Sequence, residues 1–158
     1  ELVYAGSFKW KDDEGPNRYR RGLYIHYQRT APYPMLANFD APDANVACSR
    51  RRRSNSPLQA LNLLNDPAFF EAAQAMALRV LEEAPPDRRL EHAFELAVGR
   101  EPNGRERERM RRLLDDQATA LSKDARQAEQ LLPLRPRDAA WVIASRVLLN
   151  LDEFITRE

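Results

Sequence analysis

The sequence predicts a mostly α-helical fold: a bundle of five or six helices, with a small β-hairpin and a long proline- and arginine-rich loop ahead of it. Three observations carry that expectation. Between Ser56 and Asn150 apolar residues recur at three- and four-residue spacing, punctuated by helix-start and helix-stop signals. Between Arg18 and Thr30 the pattern changes to strict alternation. From Ala31 to Asn55 periodicity fades, and Pro32, Pro34 and Pro42 fix φ and withhold N–H donors.

The elements follow in order. Glu1–Trp10 mixes β-branched and aromatic residues around a glycine and reads as a strand. Lys11–Asn17 is charged and holds Gly15-Pro16, so it reads as a loop. In Arg18–Thr30, Tyr19, Arg21, Leu23, Ile25 and Tyr27 fall on one side of a second strand. The two strands would pair as a hairpin, which is marginal alone and needs something to pack on. The following 25 residues, Ala31–Asn55, form a long loop of the kind that often carries function. Ser56-Pro57 and Asp66-Pro67 are successive helix starts, each an N-cap residue followed by proline. The first helix ends near Asn65; the second runs from Pro67 to about Glu83 and stops before Pro85-Pro86. Asp87 is expected to cap a third helix, with Leu90, Phe94 and Ala97 inward and Gly99 at its left-handed end. Asn103 caps a fourth, from Gly104 to about Leu121. A short fifth spans Asp124–Leu132. Arg137–Asn150 is apolar around most of its circumference, so it should lie at the centre of the bundle. Two parts result: residues 1–55, the end of a larger domain packed on the helices, and residues 56–158, a helical domain.

A chain of 158 residues can bury a real core. No apolar run reaches the ~20 residues of a membrane span. Glu1 stands where a complete chain would begin with Met, so a longer polypeptide is expected upstream. The net charge is +1, but residues 1–55 carry +4 and residues 56–158 carry −3. All five tyrosines precede residue 34. The single cysteine excludes a disulfide scaffold, and the absence of C-x-x-C-H excludes the usual covalent haem attachment. Neither a metal nor another cofactor is expected.

Chemistry-bearing residues concentrate between Phe39 and Asp66. Arg50, Arg51, Arg52 and Arg53 are consecutive, and forked guanidinium donors there suit phosphate, sulfate or carboxylate. They also precede the Pro57 helix, whose N-terminus favours an anion. The competing reading is a solvated run with one or two arginines paired to the acidic half of the chain. Asp40 and Asp43 flank Pro42 and could serve as acid and base, or simply cap turns. Tyr24, Tyr27, Tyr33 and His26, with Trp10, could stack against sugars or form a half-buried sheet face. Cys48 reads as a small buried apolar residue, His92 as a surface histidine. Gln59, Asn62, Asn65 and Asp66 are placed to tie the helix starts to the loop. Nucleic acid is not expected as a partner, because the domain is near neutral.

Five stretches in fixed order identify a family: RYRRGLY at Arg18–Tyr24, APYP at Ala31–Pro34, FDAPD at Phe39–Asp43, SNSPLQALNLLND at Ser54–Asp66 and SRVLLNLDEFITRE at Ser145–Glu158. Together they resemble the planctomycete PSD-type domain of unknown function. The resemblance implies the C-terminal module of a large exported protein with a cytochrome c-like domain and a second planctomycete domain upstream. It also implies a setting near polysaccharide breakdown, without an established activity. The resulting expectation is a structural or ligand-binding module that packs against upstream domains or holds an anionic polysaccharide. The alternative is a polysaccharide-acting enzyme with Asp40 and Asp43 as its acid–base pair.

Overall fold

Helix starts in this chain are set by local capping, and the computed structural model shows most of them where the sequence places them. It describes residues 10–11, 13, 15–28, 31–42, 46–52 and 54–156. Among these the α-helices are α1 (Pro34–Asn38), α2 (Pro57–Asn65), α3 (Pro67–Glu83), α4 (Arg89–Val98), α5 (Gly104–Ser122), α6 (Ala125–Leu131), α7 (Ala140–Leu148) and α8 (Asp152–Ile155). Short 3-10 turns occupy Gly15–Tyr19, Gly22–Tyr24 and Pro136–Asp138. The chain divides into two compact units, Glu1–Asn62 and Leu63–Glu158, with the division falling inside α2.

The mostly helical class holds, and the β-hairpin does not. No strand occurs among the described residues. The first expected strand, residues 1–9, lies outside them. The second is replaced by two 3-10 turns, closed by bonds such as Tyr24 N–H to Arg21 O (2.9 Å) and Ile25 N–H to Gly22 O (3.2 Å). Gly15, at φ 62°, and Pro16 start the first turn. Gly22 admits Leu36 of α1 so closely that a Cβ would sit 2.9 Å from its Cδ2. An alternating pattern fixes a strand only when a ladder partner takes up its backbone groups. Here these i→i+3 bonds take them up instead. The long loop also contains α1, a single turn with proline at its start that the fading periodicity concealed.

In the helical unit, the Asp66 carboxylate accepts from the Ala68 N–H (2.8 Å) to start α3. Asn103 and Glu106 form a reciprocal capping box at α5 (3.0 and 2.7 Å). Asp124 caps α6 through the Gln127 N–H (3.0 Å). Asp87 is no cap: it lies in a turn where Arg88 N–H bonds Pro85 O, and Arg88 takes the cap position without a side-chain bond. Gly99, at φ 76°, closes α4 in the left-handed region, where a Cβ would be strained. The last helix is shorter than expected, because the turn at Pro136–Asp138 precedes α7. Trp141 is only half-buried.

Two apolar clusters fill this unit. One joins Ala73, Ala77 and Leu81 of α3 to Leu121, Ala128, Leu132 and Val142. The other joins Met76 and Val80 of α3 to Phe94 of α4, Met110 of α5 and Leu148 of α7. Both α3 and α7 contribute to each, so α7 is central, as its apolar circumference implies. No helix among the described residues is long and apolar enough to cross a membrane.

Phe94, 1% exposed, is among the largest fully buried side chains. Replacing it with alanine should cost about 3–5 kcal/mol, with Phe94→Leu costing much less. Urea unfolding followed by helical circular dichroism reads both; equal midpoints for Phe94→Ala and the parent would remove Phe94 from the core.

Candidate functional site

In the N-terminal unit, Gln59 is the only fully buried polar side chain among the described residues, at 1% exposed. Ser56 and Gln59 form a capping box at α2: the Gln59 N–H donates to Ser56 Oγ (3.3 Å), and the Ser56 N–H donates to Gln59 Oε1 (3.1 Å). The Gln59 amide nitrogen then donates to Asn38 O (2.8 Å) and Ser54 Oγ (3.0 Å). Ser54 donates its hydroxyl (2.6 Å) and its N–H (2.8 Å) to one oxygen of Asp40. One buried amide therefore fastens the end of α1, the loop and the start of α2 together. Asp40 itself has φ 57°, a left-handed conformation that short polar side chains tolerate. The Ser54 hydroxyl, helped by its N–H, Gln59 and the nearby Arg51 charge, holds the Asp40 carboxyl below its ordinary pKa.

The arginine run divides. Arg51 turns inward on the loop, donating to Phe39 O (2.7 Å) and Asp40 O (3.2 Å). Arg50 and Arg52 are exposed, with no ion pair among the described residues. Arg53 and Asp43 lie outside those residues. Among the described members of the run, one is tied to the loop backbone and two face solvent. Cys48 corrects the sequence expectation: it is exposed, and its thiol lies 3.2 Å from Arg50 O. Neither buried apolar cluster draws a described residue from this loop.

The aromatic candidates also divide. Tyr33 meets Trp10 edge-on at 5.3 Å between ring centroids, and His26 lies 6.4 Å from Trp10, so these three gather. Tyr24 is 60% exposed, with the Arg21 guanidinium 5.8 Å from its ring centroid. Tyr27 is exposed as well.

The helical unit holds a charged centre absent from the sequence expectations. Arg100 donates from Nε and Nη2 to Glu153 (2.8 and 2.7 Å), and from Nη1 and Nη2 to Glu106 (2.9 and 2.8 Å). Nη1 also reaches Glu101 O (3.0 Å), so all five guanidinium N–H groups are used. The Phe94 ring lies beneath, 5.9 Å from the guanidinium carbon. Arg100, with a smaller contribution from the Asn103 N–H and against the effect of burial, lowers the Glu106 pKa to about 2. The Asn103-x-x-Glu106 pattern signals half of this centre; Glu153, 53 residues away, leaves no local trace. His92 bridges Glu83 (3.0 Å) and Glu95 (3.8 Å), joining α4 to the end of α3. A nearby cleft of about 690 Å³ is lined by Glu95, Asp152 and Glu153 among others, an acidic surface unsuited to anions. Among the described residues no three histidine, cysteine or carboxylate side chains are grouped to hold a metal ion.

What the geometry of the described residues defines is an arginine-rich, mostly helical chain. The family model described as a protein of unknown function (PSD1, DUF1553) matches residues 3–114, and the chain belongs to that family. Comparison with curated proteins and with solved structures gave no match.

Two outcomes follow. Gln59→Ala strands the Asn38 carbonyl and should cost about 1–3 kcal/mol, with faster amide exchange at Ser54 and Ser56; unchanged exchange there would separate Gln59 from the loop. The lowered Glu106 pKa means its stabilising contribution is complete above its ordinary value near 4.5 and is lost as pH falls towards about 2. Denaturant unfolding across that window should show stability falling with pH, and Arg100→Gln should flatten the dependence. An equal slope in both proteins would disconnect the ion pair from stability.

Proposed function

We propose that this chain is a non-catalytic binding module whose N-terminal unit holds an anionic polysaccharide on an arginine- and tyrosine-bearing surface. The observation that carries the reading is the state of the side chains there. Arg50 and Arg52 are exposed without an ion pair among the described residues, and Tyr24 is exposed with Arg21 against its ring. Planar rings offer faces to sugars, and forked guanidinium groups match carboxylate and sulfate oxygens. The +4 charge of residues 1–55 draws an anion towards this part of the chain. The same proposal makes the module the C-terminal part of an exported multi-domain protein, with its upstream domains as covalent partners, as the sequence resemblance implies.

An enzymatic reading would use Asp40 and Asp43 as an acid–base pair on polysaccharide. Asp40 has one oxygen committed to Ser54, and its lowered pKa keeps it ionised. Both facts suit a structural anchor better than a proton donor, which favours the binding module.

The test compares retention on dextran sulfate and on uncharged dextran. The parent chain should bind the sulfated matrix and release with salt. Arg50→Gln combined with Arg52→Gln, and separately Tyr24→Ala, should each weaken binding, the arginine pair by about tenfold, without lowering the melting temperature. Unchanged retention of the arginine double variant would sink the reading.

A further inference from the structure

Helix α5 carries an arrangement that its own stability does not explain. Five of its first nine residues are arginines: Arg105, Arg107, Arg109, Arg111 and Arg112. Arg107 reaches back to the Glu91 carboxylate of α4 (3.3 Å), and Arg112 pairs with Glu108 (2.7 Å). Arg105, Arg109 and Arg111 are exposed and make no hydrogen bond or ion pair among the described residues. Arg105, Arg109 and Arg112 stand at i, i+4 and i+7, on one face, spread over about 10 Å of helix. Neighbouring like charges at these spacings repel, and a cation in the first turn opposes the helix dipole. The helix bears that cost while its cap and its apolar face are already satisfied by Asn103, Glu106, Met110 and Leu121.

We infer that the outer face of α5, from Arg105 to Arg112, is a second polyanion-binding strip, in the helical unit, and that its ligand is an acidic polysaccharide. This strip is separate from the loop arginines of the first unit and does not depend on them. Charge complementarity sets the sign of the ligand. The rest of the surface sets its class. The exposed positions of this half-helix are charged, so the strip lacks the apolar centre that a docking protein segment needs. Helix α5 has no aromatic side chain on which bases could stack, which disfavours a single-stranded nucleic acid. A hydrated chain with intermittent carboxylate or sulfate groups meets both conditions. Asp115 and Asp116 follow directly and bound the strip at its C-terminal end.

The experiment measures binding of the whole chain to fluorescently labelled polygalacturonate, dextran sulfate and duplex DNA over a range of salt concentrations. Arg105→Gln with Arg109→Gln keeps helix-forming side chains at exposed positions, so its melting temperature should match the parent's. It should lose about tenfold or more in affinity for at least one glycan and show a weaker salt dependence. The control Arg126→Gln, an exposed arginine on α6, should bind as the parent does. Loss in the α5 variant with Arg50→Gln/Arg52→Gln unaffected supports the strip and removes the loop reading. Loss only in the loop variant overturns the strip and leaves that reading standing. Equal binding by the α5 variant and the parent, no glycan binding by the parent, or tighter binding of DNA than of either glycan also overturns the strip.

Discussion

Close approach of α3 and α7 is the constraint on which the helical unit depends. Ala73 and Ala77 of α3, and Ala140 and Ala144 of α7, are buried to 5% exposure or less. Small side chains at such positions let two helix backbones come near, and larger neighbours fill the flanks. The flanking residues sort into the two apolar clusters, with Leu81 and Val142 in one and Val80, Phe94 and Leu148 in the other. A methyl group added at Ala77, which has no exposed surface, would have to displace its neighbours, because interiors packed at crystal density leave no slack. Within the helical unit, α4 packs against both members of this pair and α5 against α7.

Against that core, the polar features are local devices that set angles and ends. Each helix beginning with a capping side chain uses a bond spanning two or three residues: Asp66 to Ala68, Asn103 to Glu106, Asp124 to Gln127. Gln59 extends the principle, since it serves both the start of α2 and, through its amide, a carbonyl 21 residues earlier. Buried amides of this kind are specific because leaving either end unpaired is costly.

This range of interactions explains what was legible in the sequence. Capping patterns and apolar stripes are short-range, so α2, α3, α5 and α6 could be read off with ends close to those found. Asp87 misled because a caplike residue in a proline-flanked turn can be spent on the turn itself. The alternation at Arg18–Thr30 misled for a different reason. Period two describes side chains, whereas a strand requires a partner for its backbone, and sequence alone does not supply one. The Arg50–Arg53 run was visible as charge, but its division between Arg51 and its neighbours depends on where two carbonyls end up at the close of α1. Arg100 was invisible as a centre, because one of its two carboxylate partners comes from α8.

The shared carboxylate of Glu106 gives this arrangement an order in time. Glu106 lies six residues after Arg100 and takes part in the capping box, so these two side chains can meet as soon as the first turn of α5 coils. Glu153 is translated later, 53 residues after Arg100. During synthesis α8 therefore arrives at a cation already half-neutralised and already oriented, and needs only to close the second fork. Helix α8 then acts as a latch on a frame built before it.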